Sequence, residues 1–180
     1  MSEAVVAKRY ADALFQLGDE KAILEQLLEE LKVVKEVFHV NDSFVIFLKH
    51  PRINNEKKKQ FLEDVFQDIQ ADVLNTMKIL VERQRIDIVP SIIDHFIQLY
   101  NDAKGIAEAT VYSVRELTKA EKGELEASFV KRFNKSKVII HNVVDPSLIG
   151  GMKIRIGNTI YDGSITGKLK RIERNIVTAN

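Results

Sequence analysis

The chain has no cysteine and no tryptophan, and only three prolines and eight glycines in 180 residues. Without cysteine there is no disulfide framework, no thiolate zinc or iron–sulfur site and no cysteine nucleophile. A sequence so poor in glycine and proline, 45% hydrophobic and 29% charged, is not collagen-like, low-complexity or wholly disordered, so packing must hold its fold. Long apolar runs are also missing. Phe44 to Leu48 is among the longest, far short of the roughly 20 residues that a membrane-spanning helix needs. Met1-Ser2-Glu3-Ala4 does not open a basic segment followed by an apolar one, so no targeting leader is expected, and the chain reads as soluble, with one domain or two small ones.

What is present divides near Lys104. Residues 1–104 carry 14 Lys and Arg against 18 Asp and Glu, and the remainder 13 against 8, so a net charge of +1 conceals an acidic half and a basic half. The hydrophobic period changes at the same place. Up to Lys104 the apolar residues recur at helical spacing, which predicts six helices. The first spans Glu3 to Leu17 and stops at Gly18, and the second runs from about Glu20 to Phe38. The third is short, capped at Asn41-Asp42-Ser43 and ended by Pro51. The fourth spans about Asn55 to Gln67, the fifth carries Val73, Met77, Leu80 and Val81, and the sixth follows Pro90 and stops at Gly105.

Beyond Gly105, Ala107 to Val114 and Val138 to Val144 are β-branched runs, and Thr118-Lys-Ala-Glu121 between them is a capping box opening a helix through Phe133. Met152 to Ile156 and Thr159 to Tyr161 flank Gly157-Asn158, a loop suited to a type II′ hairpin. A last helix follows Gly163, and Ile165, Leu169, Ile172 and Ile176 are expected to face its own core. The expected fold is α+β: an N-terminal all-α six-helix bundle (1–104) followed by a small C-terminal α/β domain (105–180).

Chemistry-bearing motifs are scarce. His39, His50, His95 and His141 are scattered without further ligands at metal-site spacing, and no Gly-x-Ser-x-Gly elbow occurs, so neither a metal nor a catalytic site is expected. Gly163-Ser-Ile-Thr-Gly167-Lys168-Leu169 imitates a phosphate loop. It has three residues between its glycines instead of four, and Leu169 where a magnesium-binding Ser or Thr belongs. Lys168, Lys170, Arg171 and Arg174 line the polar side of the last helix, and Lys131, Arg132, Lys135 and Lys137 cluster near the preceding one. Such stripes attract phosphate backbones or acidic proteins, but no stacking aromatics accompany them, which favours solvation or an acidic partner. A nucleotide- or nucleic-acid-binding module is the alternative reading of this half.

The first helix is unusually apolar. At about 100° per residue, Ala4, Ala7, Ala11, Leu14 and Phe15 form one face and Val6, Tyr10, Ala13 and Leu17 a second beside it. The second face is either buried by further neighbours or open to a partner helix. On the fifth helix Ile79 lies away from Leu74, Met77 and Leu80 and would supply the second wall of a groove.

Three motifs resemble one family. Ala7-Lys-Arg-Tyr-Ala-Asp-Ala-Leu-Phe15, Val144-Asp-Pro-Ser-Leu-Ile-Gly-Gly-Met-Lys-Ile-Arg-Ile-Gly157 and Tyr161-Asp-Gly-Ser-Ile165 occur in the order found in the delta subunit of the bacterial F-type ATP synthase, the oligomycin-sensitivity-conferring protein of mitochondria. Glu82-Arg-Gln-Arg-Ile86 lies between them. Gln84, where many members have Gly, and Thr166-Gly167, in place of an Arg-containing stretch, depart from the pattern. The resemblance implies a non-catalytic stator without cofactor or metal, one copy per complex, peripheral to the cytoplasmic face of the plasma membrane and not inserted in it. It implies that the helical domain receives the N-terminal helix of an alpha subunit in a groove of Val6, Tyr10, Ala13, Leu17 and Ile79. It further implies that the C-terminal domain meets the C-terminal helices of the b subunits, where Lys168, Lys170, Arg171 and Arg174 are the candidate contacts, and that no nucleic acid is bound.

Overall fold

The computed structural model describes the backbone of residues 3–157 and 159–178, and the side chains among these up to residue 171. The chain divides into two compact units, Met1–Tyr100 and Asn101–Asn180. The first is built from α1 (Glu3–Glu20), α2 (Leu24–Val40), α3 (Asp42–Lys49), α4 (Asn55–Val65), α5 (Ala71–Glu82) and α6 (Val89–Lys104), whose last turn passes the division; a 3-10 turn at Ile86–Ile88 precedes α6. The second contains β1 (Ile106–Ser113), α7 (Lys119–Phe133), β2 (Lys137–Val144), a 3-10 turn at Pro146–Leu148, β3 (Met152–Ile156), β4 (Thr159–Asp162) and α8 (Ile165–Thr178). The fold is α+β, six helices preceding a small mixed unit.

The helical unit closes around Leu27, Val34, Leu48, Leu62, Leu80, Ile93 and Phe96, all at most 2% exposed. Phe44 meets Phe38 and Phe66 edge-on and Phe61 at a tilt, joining α2, α3 and α4 into one aromatic cluster. Proline and glycine end two helices as the sequence suggests: His50 before Pro51 is extended, and Gly105 takes φ +65° after α6. Gly18 does not. Predicted as the stop of the first helix, it is buried inside α1, where a Cβ would lie 2.7 Å from Leu27 Cδ1 and 2.9 Å from Leu24 Cδ2. Its missing side chain lets α2 approach, and the chain turns later, at Ala22, with φ +55°. Val65, in the last turn of α4, is 42% exposed although Leu62 one turn before it is buried.

The four strands are ordered β2-β1-β3-β4, with β1 parallel to β2 across α7 and antiparallel to β3, which pairs antiparallel with β4. The register sets Val111 opposite Ile154 and Ala109 opposite Ile156, and α7 covers this apolar face with Phe129, Leu125, Val130 and Phe133. The capping box forms as predicted: Glu121 N–H donates to Thr118 Oγ1 at 3.3 Å, and Thr118 N–H to Glu121 Oε2 at 2.8 Å. Gly157 adopts φ +54° in the β3–β4 turn, and Asn158 lies outside the described residues.

The last helix departs from expectation. Ile165 and Leu169 are not in a core: they are 44% and 54% exposed. Ile172 and Ile176 lie outside the described side chains. Period reports that a helix has an apolar stripe but not which surface covers it. Here α7 already occupies the apolar face of the sheet, and α8 meets its unit chiefly at the Pro146–Leu148 turn.

Candidate docking surfaces

On α1, Ala7 and Ala11 are fully buried and Leu14 is 5% exposed, so this is the face turned to the bundle; Phe15 extends it with its ring edge-on to Phe96 at 6.0 Å. The neighbouring face is mixed. Val6 is buried, Tyr10 and Leu17 are half-buried, and Ala13 is exposed. Val6 therefore belongs to the interior side of the helix, while the other three remain reachable. On α5 the side chain of Ile79 is 43% exposed although Met77 and Leu80 beside it are buried. α1 and α5 touch, and the Lys21 ammonium, just beyond α1, lies 2.7 Å from Asp72 in the first turn of α5. From this pin Ile79 is about 10 Å along α5 and Ala13 about 12 Å back along the α1 side, at 1.5 Å per residue. The structure thus brings Tyr10, Ala13, Leu17 and Ile79 onto two helices in contact.

In the second unit, Ser164 starts α8. Its N–H and hydroxyl both donate to Asp162 Oδ1, at 2.9 and 2.6 Å, and its Oγ accepts from Gly167 N–H at 3.0 Å. These bonds, more than the attraction of Lys153 and Arg171, hold the Asp162 carboxyl below its ordinary pKa. This arrangement is the opposite of a phosphate cradle. A carboxylate stands where the anion would be received, and the first free amide of the helix is already taken. Lys168, Lys170 and Arg171 are exposed on α8, and Arg174 lies outside the described side chains. Among the described residues, no group of three or more His, Asp or Glu side chains could hold a metal ion.

Beside the start of α8 is a groove of about 720 Å³, walled by Val114 and Leu117 after β1, Leu125 of α7, and Ile149 and Met152 before and in β3. Its shape is pinned by polar contacts. Asn142 accepts Leu117 N–H at 2.7 Å and donates to Val111 O and Ser113 Oγ. Arg115 makes a two-pronged pair with Glu121 at 3.0 and 2.6 Å; with help from Thr118, this pair lowers the Glu121 pKa to about 2. Ile149, on the rim, is 67% exposed and holds φ +64°, a conformation that β-branched residues rarely adopt.

The sequence pattern of the ATP synthase delta (OSCP) subunit matches residues 6–176. The chain belongs to that family. It is 58% identical over 180 residues to the ATP synthase subunit delta of Oceanobacillus iheyensis, covering 100% of this chain and 99% of the relative. It is 50% identical over 177 residues to the subunit delta of a Geobacillus species, covering 98% and 99%. Among solved structures, a chain of the Toxoplasma gondii mitochondrial ATP synthase hexamer superposes with a TM-score of 0.76 at 18% identity over 95% of this chain and 97% of that one, a likeness of fold. Delta-type subunits belong to the peripheral stalk of the F-type enzyme.

Reasoning from the sequence of this delta-family chain missed the groove and the bare stripe of α8. The only local signal was Leu148-Ile149-Gly150-Gly151, an aliphatic residue before a glycine pair in a loop.

Proposed function

We propose that the chain is a non-catalytic stator subunit that ties the catalytic head of the F-type ATP synthase to its peripheral stalk. In this reading residues 1–104 dock on the head and residues 105–180 on the stalk. One copy serves each complex, at the cytoplasmic face of the bacterial plasma membrane; no described helix is long and apolar enough to cross that membrane. The helical unit receives the N-terminal helix of an alpha subunit against Tyr10, Ala13, Leu17 and Ile79, with Val6 backing them from inside. The C-terminal helices of the b subunits meet the second unit, where Lys168, Lys170, Arg171 and Arg174 steer the approach. The function is mechanical: torque on the central shaft drags the head, and proton flow drives nucleotide chemistry only while this joint resists.

The observation that carries the reading is the reachable apolar residue set on α1 beside the exposed Ile79, on a helix whose other face is already buried. An apolar helix face of this kind accepts an amphipathic partner helix. Because Ala13 is exposed, Ala13→Asp leaves the fold intact and places a charge in the desolvated groove. Titration by calorimetry of a peptide spanning the N-terminal helix of alpha is expected to lose at least tenfold in affinity with Ala13→Asp and with Ile79→Asp, several kcal/mol being the order for an unpaired buried charge. Unchanged affinity in both folded variants would move the head contact elsewhere.

A further inference from the structure

β2 forms one margin of the sheet and β4 the other. A marginal strand turns the backbone N–H and C=O groups of every second residue away from its neighbour, which makes it a template for a further strand. Proteins blunt such margins with short strands, proline, bulges or repeated charge. β4 is blunted by its length, Thr159–Asp162. β2 is not. It runs for eight residues without proline, and its register with β1 is unbroken from Ile106–Lys137 to Ser113–Val144, so no bulge turns it away. Its one lysine stands at the first position, and His141 lies 3.9 Å from Glu108 on β1. At the far end Val143 and Val144 are exposed on opposite faces, β-branched side chains that a neighbouring strand would flank.

Charge of one sign gathers at the near end. Lys131 in the last turn of α7, Lys135 in the connecting turn and Lys137 at the head of β2 lie close together along the chain. The ion pairs Arg115–Glu121, Lys122–Glu116 and His141–Glu108 use none of them, and among the described residues they meet no carboxylate; Arg132 beside them lies over the Tyr161 ring at 5.3 Å. We propose that the outer side of β2 receives an extended, acid-tipped segment of another protein. It pairs antiparallel to β2, with its apolar part beside Ile139 and Val143 and its acidic C-terminal end beside Lys135 and Lys137. The free backbone row selects an extended partner, because a helix has already spent its own N–H and C=O groups. Antiparallel pairing is slightly the more stable per residue, and in that direction the segment runs from Val144 towards Lys137, so its acidic residues come last. The lysines supply the complementary charge. The inference holds for the chain alone and does not rest on the stalk reading.

The probe is a fluorescent eight-residue peptide of alternating threonine and valine ending in two glutamates, titrated into the full chain at low salt. Binding is expected, with slower amide hydrogen exchange in β2. Backbone pairing is read by N-methylating alternate residues of the peptide, which leaves its side chains and charge as they were. Methyl groups on the set that faces β2 are expected to abolish binding, and methyl groups on the other set to leave it within about twofold. Lys135→Glu with Lys137→Glu should weaken binding about fivefold or more, and moving the glutamates to the N-terminus of the peptide should weaken it severalfold. Absence of binding would overturn the proposal. So would equal tolerance or equal loss for the two methylation patterns, since charge and not a strand would then hold the peptide. Unchanged affinity in the lysine variant, at an unchanged urea midpoint, would remove the acidic tip and with it the proposed partner. Self-association of the chain that competes with the peptide would make a second copy the occupant, and tighter binding of an oligothymidylate of equal charge would make it a nucleic acid; either result overturns the assignment.

Discussion

The carboxylate of Asp162 fills the space that a side chain at position 167 would need: a Cβ on Gly167 would lie 2.6 Å from Asp162 Oδ2. That carboxylate accepts two bonds from Ser164, which in turn caps Gly167 N–H, so three residues form one closed device at the start of α8. Gly167→Ala sets two effects against each other. Alanine favours a helix interior by ~1 kcal/mol over glycine, but it must displace Asp162 and the Ser164 cap, and a lost cap costs ~0.5–2 kcal/mol. Since Ser164 is 1% exposed and has no room to re-form its bonds elsewhere, the loss is expected to win. Amide hydrogen exchange in the first turn of α8 should speed up severalfold in Gly167→Ala; slower exchange would mean that propensity prevails and the Asp162 contact is dispensable.

Gly18 offers the analogous experiment in the helical unit. Its neighbours are side-chain ends, Leu27 Cδ1 at 2.7 Å and Leu24 Cδ2 at 2.9 Å from an added Cβ, and Leu27 is fully buried with nowhere to move. Gly18→Val is expected to cost ~1–3 kcal/mol by overpacking, read as a lower urea midpoint at unchanged slope. A variant at least as stable as the parent would show that α2 yields easily and that Gly18 was retained for another reason.

Gly105 and Gly18 show where sequence reading succeeds and where it stops. Gly105, Pro51 and the Thr118–Glu121 box act on their own backbone, so local chemistry predicts them and the helix ends they set follow. Gly18 serves a contact with Leu27, nine positions away on another helix, and no local rule distinguishes a glycine that ends a helix from one that admits a neighbour. The same limit governs α8. Its four-three-four spacing correctly gives an amphipathic helix, but spacing carries no information about what lies opposite, and Ile165 and Leu169 turned out to be uncovered. On α1 the sequence marks a second apolar face without saying what covers it, and side-chain packing separates the buried Val6 from the exposed Ala13.

The Arg115–Glu121 pair predicts a pH response of the second unit. Glu121 titrates at about 2 in the folded chain against 4.5 ordinarily, chiefly because of Arg115 and then the Thr118 bonds. A lowered carboxylate pKa means that the folded state holds fewer protons, so its stabilisation is complete above about 4.5 and is lost as pH falls towards about 2. Asp145 and Asp162, both lowered by serine bonds, act in the same direction. Glu121→Gln should flatten part of the fall in urea midpoint across this acid range. The Glu121 carboxyl, followed by NMR, should titrate near 2 in the parent and move up in Arg115→Met; titration near 4.5 in both would remove the pair from any role in stability.

The final prediction separates two kinds of contact with the stalk, which the exposure of Leu169 makes separable. Lys168 and Lys170 lie on either side of Leu169 on a helix whose apolar side chain is 54% exposed. Exposed charges contribute only ~0–1 kcal/mol each to a finished complex, but they accelerate encounter with an acidic or amphipathic partner, and salt screens them. A buried aliphatic side chain works the other way, acting on the lifetime of the complex. Reversing Lys168 and Lys170 to Glu should therefore slow association of a peptide spanning the C-terminal helix of b at low salt and leave dissociation nearly unchanged. Leu169→Ala should instead raise the dissociation rate about tenfold, on the order of a well-packed contact residue. Dissociation is the discriminating readout for the apolar contact, because the charges act chiefly on the approach. If charge reversal leaves low-salt association untouched and Leu169→Ala leaves dissociation untouched, α8 is not part of a contact with the stalk.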